Sequence, residues 1–230
     1  MYELHIGTKN YSSWSLRPWL LMKACGIPFA EAFHRFDFAS ANAAFRAFSP
    51  SAKVPCLIDG DTTVWDSLAI AEYLAERHAG VWPTDARARA WARCAAAEMH
   101  SGFSALRNHC GMNVGVRVRM DNCPAAVAAD VARIDALWSD GLTRFGGPWL
   151  AGAAFSAVDA FFGPVAFRWQ TYGFAMSDTA TAYAERLLAH PAMREWEAAG
   201  LAEDFRDAPH DAELANAGTV TADLRAPART

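Results

Sequence analysis

The chain has 230 residues, 53% of them apolar and 20% charged, with a formal net charge of −4. That is an ordinary globular balance, with material enough for one large domain or two modest ones. It offers no basic surface for nucleic acid, no apolar run near the roughly 20 residues of a membrane span, and no basic-then-apolar N-terminus of a secretory signal. The five cysteines (Cys25, Cys56, Cys94, Cys110 and Cys123) are scattered, without a Cys-x-x-Cys pair. That pattern suits reduced cytoplasmic thiols and makes no zinc motif, and no His/Asp/Glu cluster has metal-ligand spacing. A soluble cytoplasmic protein without a metal is expected.

In chain order, residues 2–7 read as a first strand and 12–25 as a helix, in which Pro18 is tolerable only within the first turn. Gly26-Ile27-Pro28 stops that helix, and 29–37 read as a second strand. Residues 39–48 are short helical or irregular. Two strands follow at 55–58 and 62–65, joined by Asp59-Gly60-Asp61, a strong hairpin signal that makes them antiparallel. A helix over 68–78 closes the unit. This βαβ-ββα order predicts a thioredoxin-like α/β domain over residues 1–79. A Gly/Pro-bearing linker spans 80–85, and beyond it the chain turns alanine-rich. Helical periodicity covers 85–108 and 124–145, with further helices from 156, over 178–189 and around 191–199. No strand is read there, so an all-helical bundle is expected over 86–205, and the Ala-, Asp-, Thr- and Pro-rich stretch 206–230 is expected to be a loose tail.

The most informative segment lies between Lys53 and Glu72. Val54-Pro55 opens a strand where proline donates no ladder bond, and a cis peptide there is plausible. It would turn the Val54 backbone outward, leaving its N–H and C=O to pair with an extended peptide. Asp66 and Ser67 open the following helix, whose early N–H groups form an anion site. Peptide-like pairing beside an anion-holding helix end points to a small, anionic, peptide-like ligand. Upstream, Asn10-Tyr11-Ser12-Ser13-Trp14-Ser15-Leu16-Arg17 offers hydroxyls and no cysteine. In the second domain, Leu150-Ala151-Gly152 leads to Ser156 and Asp159, spaced as a capping box and read as folding residues.

These segments together resemble the glutathione S-transferase superfamily, over roughly residues 1–205. The resemblance implies that glutathione is the co-substrate, held by Trp14, Lys53, Val54, Pro55, Asp66 and Ser67. The Val54 loop would pair with its cysteinyl backbone, Asp66-Ser67 would take its γ-glutamyl end, and Lys53 its glycyl carboxylate. The serine loop is similar to the zeta-class pattern Ser-Ser-Cys-x-Trp-Arg, with Trp14 in place of its cysteine and Leu16 in place of its tryptophan. It implies Ser12 in the thiolate-stabilising place with Ser13 beside it, and Tyr11 as a rival hydroxyl. A free thiol has a pKa of about 8.5; a hydroxyl bond and a helix end together supply about 1.5–3 kcal/mol, one to two units. His100, Arg107, Arg168 and Tyr172 are candidates to line a cleft for a small hydrophobic electrophile. The resemblance further implies a homodimer. Two alternatives are a catalytically silent glutathione-binding or assembly module of the same fold, and a glutathione-dependent isomerase or peroxidase.

Overall fold

Leu4 and Ile6 are fully buried in the first strand, β1 (Tyr2–Ile6), which is central to a four-stranded sheet. The structure, a computed structural model, describes residues 1–228. β1 pairs in parallel with β2 (Phe29–Phe33) and antiparallel with β3 (Cys56–Asp59), which continues through a two-residue turn into β4 (Thr62–Trp65). Gly60 takes the positive φ (57°) that this tight turn requires. Helix α1 (Ser13–Ala24) connects β1 to β2, and α2 (Ser67–Ala75) closes the unit, giving the expected thioredoxin-like order. Pro18 falls in the second turn of α1, not the first as expected, and lies buried. Two short 3-10 turns occupy the stretch before β3.

The second domain begins with α3 (Ala86–Ser101), capped by Asp85, whose carboxylate accepts the N–H groups of Arg87 (3.0 Å) and Ala88 (2.8 Å). The periodicity expected to run unbroken to residue 108 is interrupted at Gly102-Phe103. Phe103 has φ +53°, and a separate helix α4 (Ser104–His109) follows. Helices α5 (Ala125–Phe145), α6 (Ala157–Tyr172), α7 (Asp178–Ala189) and α8 (Pro191–Leu201) complete the bundle. Helix α6 is buried along nearly its whole length and packs on α1. Gly163 permits that approach, since a side-chain carbon there would come within 2.8 Å of Leu20.

Two expectations for this half are corrected. The bundle is not all-helical, because β5 (Val116–Met120) pairs antiparallel with β6 (Gly218–Asp223). Nor is the stretch after 205 loose: α9 (Ala208–Ala217) and β6 fold back onto the molecule, burying Leu214 and Ala217. Few apolar side chains suffice there because the strand supplies backbone hydrogen bonds and Arg225 supplies ion pairs to Asp211 (2.7 Å) and Asp223 (2.6 Å). Among the described residues no helix is long and apolar enough to cross a membrane.

The domains meet at the β1–α1 loop. Glu203 accepts the Lys9 N–H at 2.6 Å and the Asn10 N–H at 3.3 Å. The Trp196 indole donates to the Lys9 carbonyl (2.7 Å), and the Asn10 side chain accepts the Gly115 N–H (3.0 Å). Gly200 lies against the Lys9–Asn10 backbone, where a Cβ would stand 3.2 Å from the Asn10 nitrogen. Inside the second domain Asp159, fully buried, accepts from Leu150 N–H (3.0 Å), Ser156 N–H (3.0 Å) and the Tyr183 hydroxyl (2.9 Å).

Asp159→Ala strands those three donors, each costing about 1–3 kcal/mol. A loss of about 3–5 kcal/mol in urea unfolding is expected, and a loss near zero would show that Asp159 organises nothing. Burial pushes the Glu203 carboxyl up to about 7, against the opposing pull of its two N–H donors and Lys9. A carboxyl raised in the folded state contributes stability at acid pH that is lost as pH rises from its unfolded value through about 7. Stability curves for Glu203→Gln should therefore be flatter than wild type between about pH 4.5 and 7. Parallel curves would remove Glu203 from the pH response.

Candidate functional site

Strand β1 and helix α1, the loop before β3, and the N-terminus of α2 converge on a cleft that the second domain closes from above. It has two lobes that share Trp14, Lys53 and Val54. The first, of about 440 Å³, adds Pro55, Asp66 and Ser67. The second, of about 380 Å³, adds Ser12, Ser13, Arg107 and Arg168. Nearly every residue singled out in the sequence thus reaches one cleft.

In the first lobe the Val54-Pro55 peptide is cis. Val54 lies outside the β3 ladder, and neither its N–H nor its C=O bonds another described residue. Asp66, at φ +78°, caps α2 by accepting from Leu68 N–H (2.8 Å) and Ala69 N–H (3.4 Å). The Ser67 hydroxyl is buried with no hydrogen-bond partner among the described residues. A buried hydroxyl left unmet at a helix N-terminus is costly unless a ligand oxygen meets it. His100 does not line either lobe but stands over the first from the second domain. Its Nε2 lies 3.4 Å from Asp66 Oδ2, and its ring meets Trp14 edge-on. Burial lowers the His100 pKa, against the pull of Asp66.

The hydroxyls separate by their partners. Ser12, at the N-cap of α1, makes no capping bond; it donates to Ser15 Oγ (2.7 Å), which also accepts the Gly7 N–H (3.0 Å). The Ser12 proton is therefore directed inward. Ser13 is half-buried on the cleft wall, and its hydroxyl bonds no described residue. It stands beside the first-turn N–H groups of Trp14 and Ser15, which find no carbonyl partner. Tyr11 is occupied: its hydroxyl donates to Asp211 (3.0 Å) and accepts from Arg225 (2.9 Å) and the Asp207 N–H (3.3 Å). Burial raises its pKa, the first of several influences.

Arg107 and Arg168 line the second lobe, and Tyr172 does not. One turn beyond Arg168, the Tyr172 ring stacks on Phe174 and lines a different cavity, while its hydroxyl donates to the Gly111 carbonyl (2.8 Å). His210 and Glu213 of α9 also line the second lobe. Sequence reading missed them because it took the tail as loose. Their signals were Asp207 and Pro209 at a helix start and Gly218 at its end. Among the described residues no group of three or more His, Cys, Asp or Glu is placed to hold a metal ion.

Residues 11–77 match the family model of the glutathione S-transferase N-terminal domain. No curated protein matches the chain. Among solved structures, a glutathione transferase homologue from Burkholderia gl BGR1 with bound glutathione is 22% identical, at a TM-score of 0.65 over 86% of this chain and 97% of that one. The theta class glutathione S-transferase of Xanthomonas axonopodis pv. citri, with glutathione bound, is 24% identical, at 0.61 over 84% and 95%. A glutathione transferase homologue from Sulfitobacter with bound glutathione is 22% identical, at 0.59 over 87% and 98%.

Asp66→Ala removes the cap of α2 and places alanine at a positive φ, so a loss of about 1 kcal/mol or more is expected, whereas Asp66→Asn should keep most of it. Equal stability of the two variants in urea would show that the Asp66 cap carries no weight.

Proposed function

We propose that this chain, whose residues 11–77 match the glutathione S-transferase N-terminal family model and which takes the glutathione S-transferase fold, binds glutathione and activates its thiol for attack on an electrophile. The observation that carries this reading is the pair of unmet polar groups in the first lobe: the free Val54 backbone and the orphaned Ser67 hydroxyl. A tripeptide laid along Val54 would satisfy that N–H and C=O through its cysteinyl unit. Its γ-glutamyl carboxylate would meet Ser67 and the α2 N-terminus, and its ammonium would face Asp66. Lys53, exposed at the rim, is within the same lobe for the glycyl carboxylate.

The sulfur would then lie toward the N-terminus of α1. Ser13 supports it best there, because its proton is uncommitted, while Ser12 acts through the Ser15 hydroxyl and holds the loop. Unpaired N–H groups of the first turn add positive potential that favours thiolate over thiol. In the reaction the thiol proton passes to solvent, sulfur donates its pair to the electrophilic carbon, and the leaving group departs with the electrons of the broken bond. The reading carries with it a homodimer and the cytoplasmic location that five unpaired thiols suit.

Retention on immobilised glutathione and the ultraviolet absorbance of bound thiolate test this directly. Wild type should bind and lower the thiol pKa by one to two units from about 8.5. Ser13→Ala should return about one unit of that shift, and Ser12→Ala less. Binding with an unshifted thiol would instead identify a silent glutathione-binding module. Failure of the folded protein to bind would overturn the reading.

A further inference from the structure

Two guanidinium groups, those of Arg17 and Arg107, face Trp14 and a third, that of Arg168, lines the same lobe; none has a carboxylate partner within ion-pair distance among the described residues. Arg17 is 1% exposed; its guanidinium lies 4.1 Å from the centre of the Trp14 ring and 5.2 Å from that of Phe161. Its Nε and Nη1 bond nothing among the described residues. Arg107 stands 5.2 Å from the centre of the same indole, with a buried Nε that also bonds nothing and an Nη1 that reaches only the His100 carbonyl, at 3.4 Å. Arg168, 4% exposed, gives its Nε to the Cys110 carbonyl (2.7 Å) and its Nη1 to the Pro164 carbonyl (3.4 Å). Carbonyls solvate a guanidinium but do not neutralise it.

No ion pair joins any of the three to an acid among the described residues. Asp66 is committed to capping α2 and faces His100. Glu213 is the one carboxylate lining the second lobe, against Lys53, Arg107 and Arg168. Buried cations without counter-charge are expensive, and their mutual repulsion adds to the cost. Burial brings Arg17 down to about 9 and Arg168 to about 10; the nearby arginines push the same way, with Asp66 opposing at Arg17 and Tyr172, Cys110 and Glu213 opposing at Arg168. A chain that keeps such a cluster at a cleft wall lacks a negative charge that a ligand can bring. The carboxylates of glutathione are met in the first lobe, by Ser67 with α2 and by Lys53. The missing charge therefore falls to the second substrate.

We infer that the electrophile carries a carboxylate, held in the second lobe by Arg107 and Arg168, with Arg17 behind Trp14 adding to the positive field. The guanidinium edges left free by the protein donate to the carboxylate oxygens, and the apolar body of the substrate lies along Trp14. The inference rests on the preceding reading of the cleft as a site for glutathione and an electrophile.

The probes are 4-chloro-3-nitrobenzoate and its methyl ester, which differ in charge and lose chloride to the same sulfur attack. Each is measured two ways: kcat/KM with glutathione, divided by the uncatalysed rate, and Kd by calorimetry without glutathione. The acid should exceed the ester roughly tenfold in both. Arg107→Gln should bring acid and ester close to parity, and Arg168→Lys should narrow the gap. Ester bound and consumed as well as acid by the wild type would overturn the inference and leave glutathione binding intact. Preference for the acid in calorimetry with no affinity for glutathione would uphold the charge assignment and sink the transferase reading. The wild-type comparison needs no variant to fold.

Discussion

Everything at the cleft depends on the grip that the second domain takes on residues 9 and 10. A loop between a strand and a helix is the least constrained part of a thioredoxin-like unit, yet here it must hold hydroxyls and N–H groups in one arrangement. Glu203 takes two consecutive backbone N–H groups, the Trp196 indole takes a carbonyl, and Asn10 bonds Gly115. None of these contacts touches the cleft itself. They fix where α1 begins, and the positions of Ser13 and Trp14 follow from that. Preorganisation of this kind is what lets a weak donor such as a hydroxyl act on a thiol without an ordering cost at the moment of binding.

Trp14 joins the two lobes of the cleft. One ring is shared by both lobes, carries a guanidinium at 4.1 Å and another at 5.2 Å, and meets His100 edge-on. An aromatic face stabilises a cation in a dry site without occupying its N–H groups. The indole therefore makes a positive cluster tolerable in the absence of ligand, while leaving the hydrogen-bonding edges of the arginines unspent. A cysteine at this position, as in the zeta-class pattern, would offer neither the face nor the area.

Local signals in the sequence were read well, and long-range ones poorly. The Asp59-Gly60-Asp61 turn, the helix start at Asp66-Ser67 and the Ser156–Asp159 pair are each decided within a few residues, and the structure has all three. The break after α3 was missed because Phe103 adopts a positive φ that its side chain does not advertise. Strands β5 and β6 were missed although Val116-Arg117-Val118-Arg119 alternates plainly; each is short, and each exists through a partner about a hundred residues away. For the site, residue types told which segments gather at one cleft but not where protons point. That Tyr11 is locked by the tail and that Tyr172 lines a different cavity are facts of packing, set by neighbours remote in the chain, and even the local bond from Ser12 to Ser15 has a direction that residue types do not reveal.

The tie between Tyr11 and Arg225, which spans 214 positions, also bears on how the molecule comes into being. Synthesis is vectorial, and domains fold as they emerge. The thioredoxin-like unit can close once α2 is made, with its serine loop still unmoored and the wall of its cleft unfinished. Only when residues 203–225 have been added do Glu203 and the tail reach back to the first dozen residues. A nascent chain would thus hold its first domain folded and its cleft unfinished until residues 203–225 have been made, so the cleft is completed in one late step.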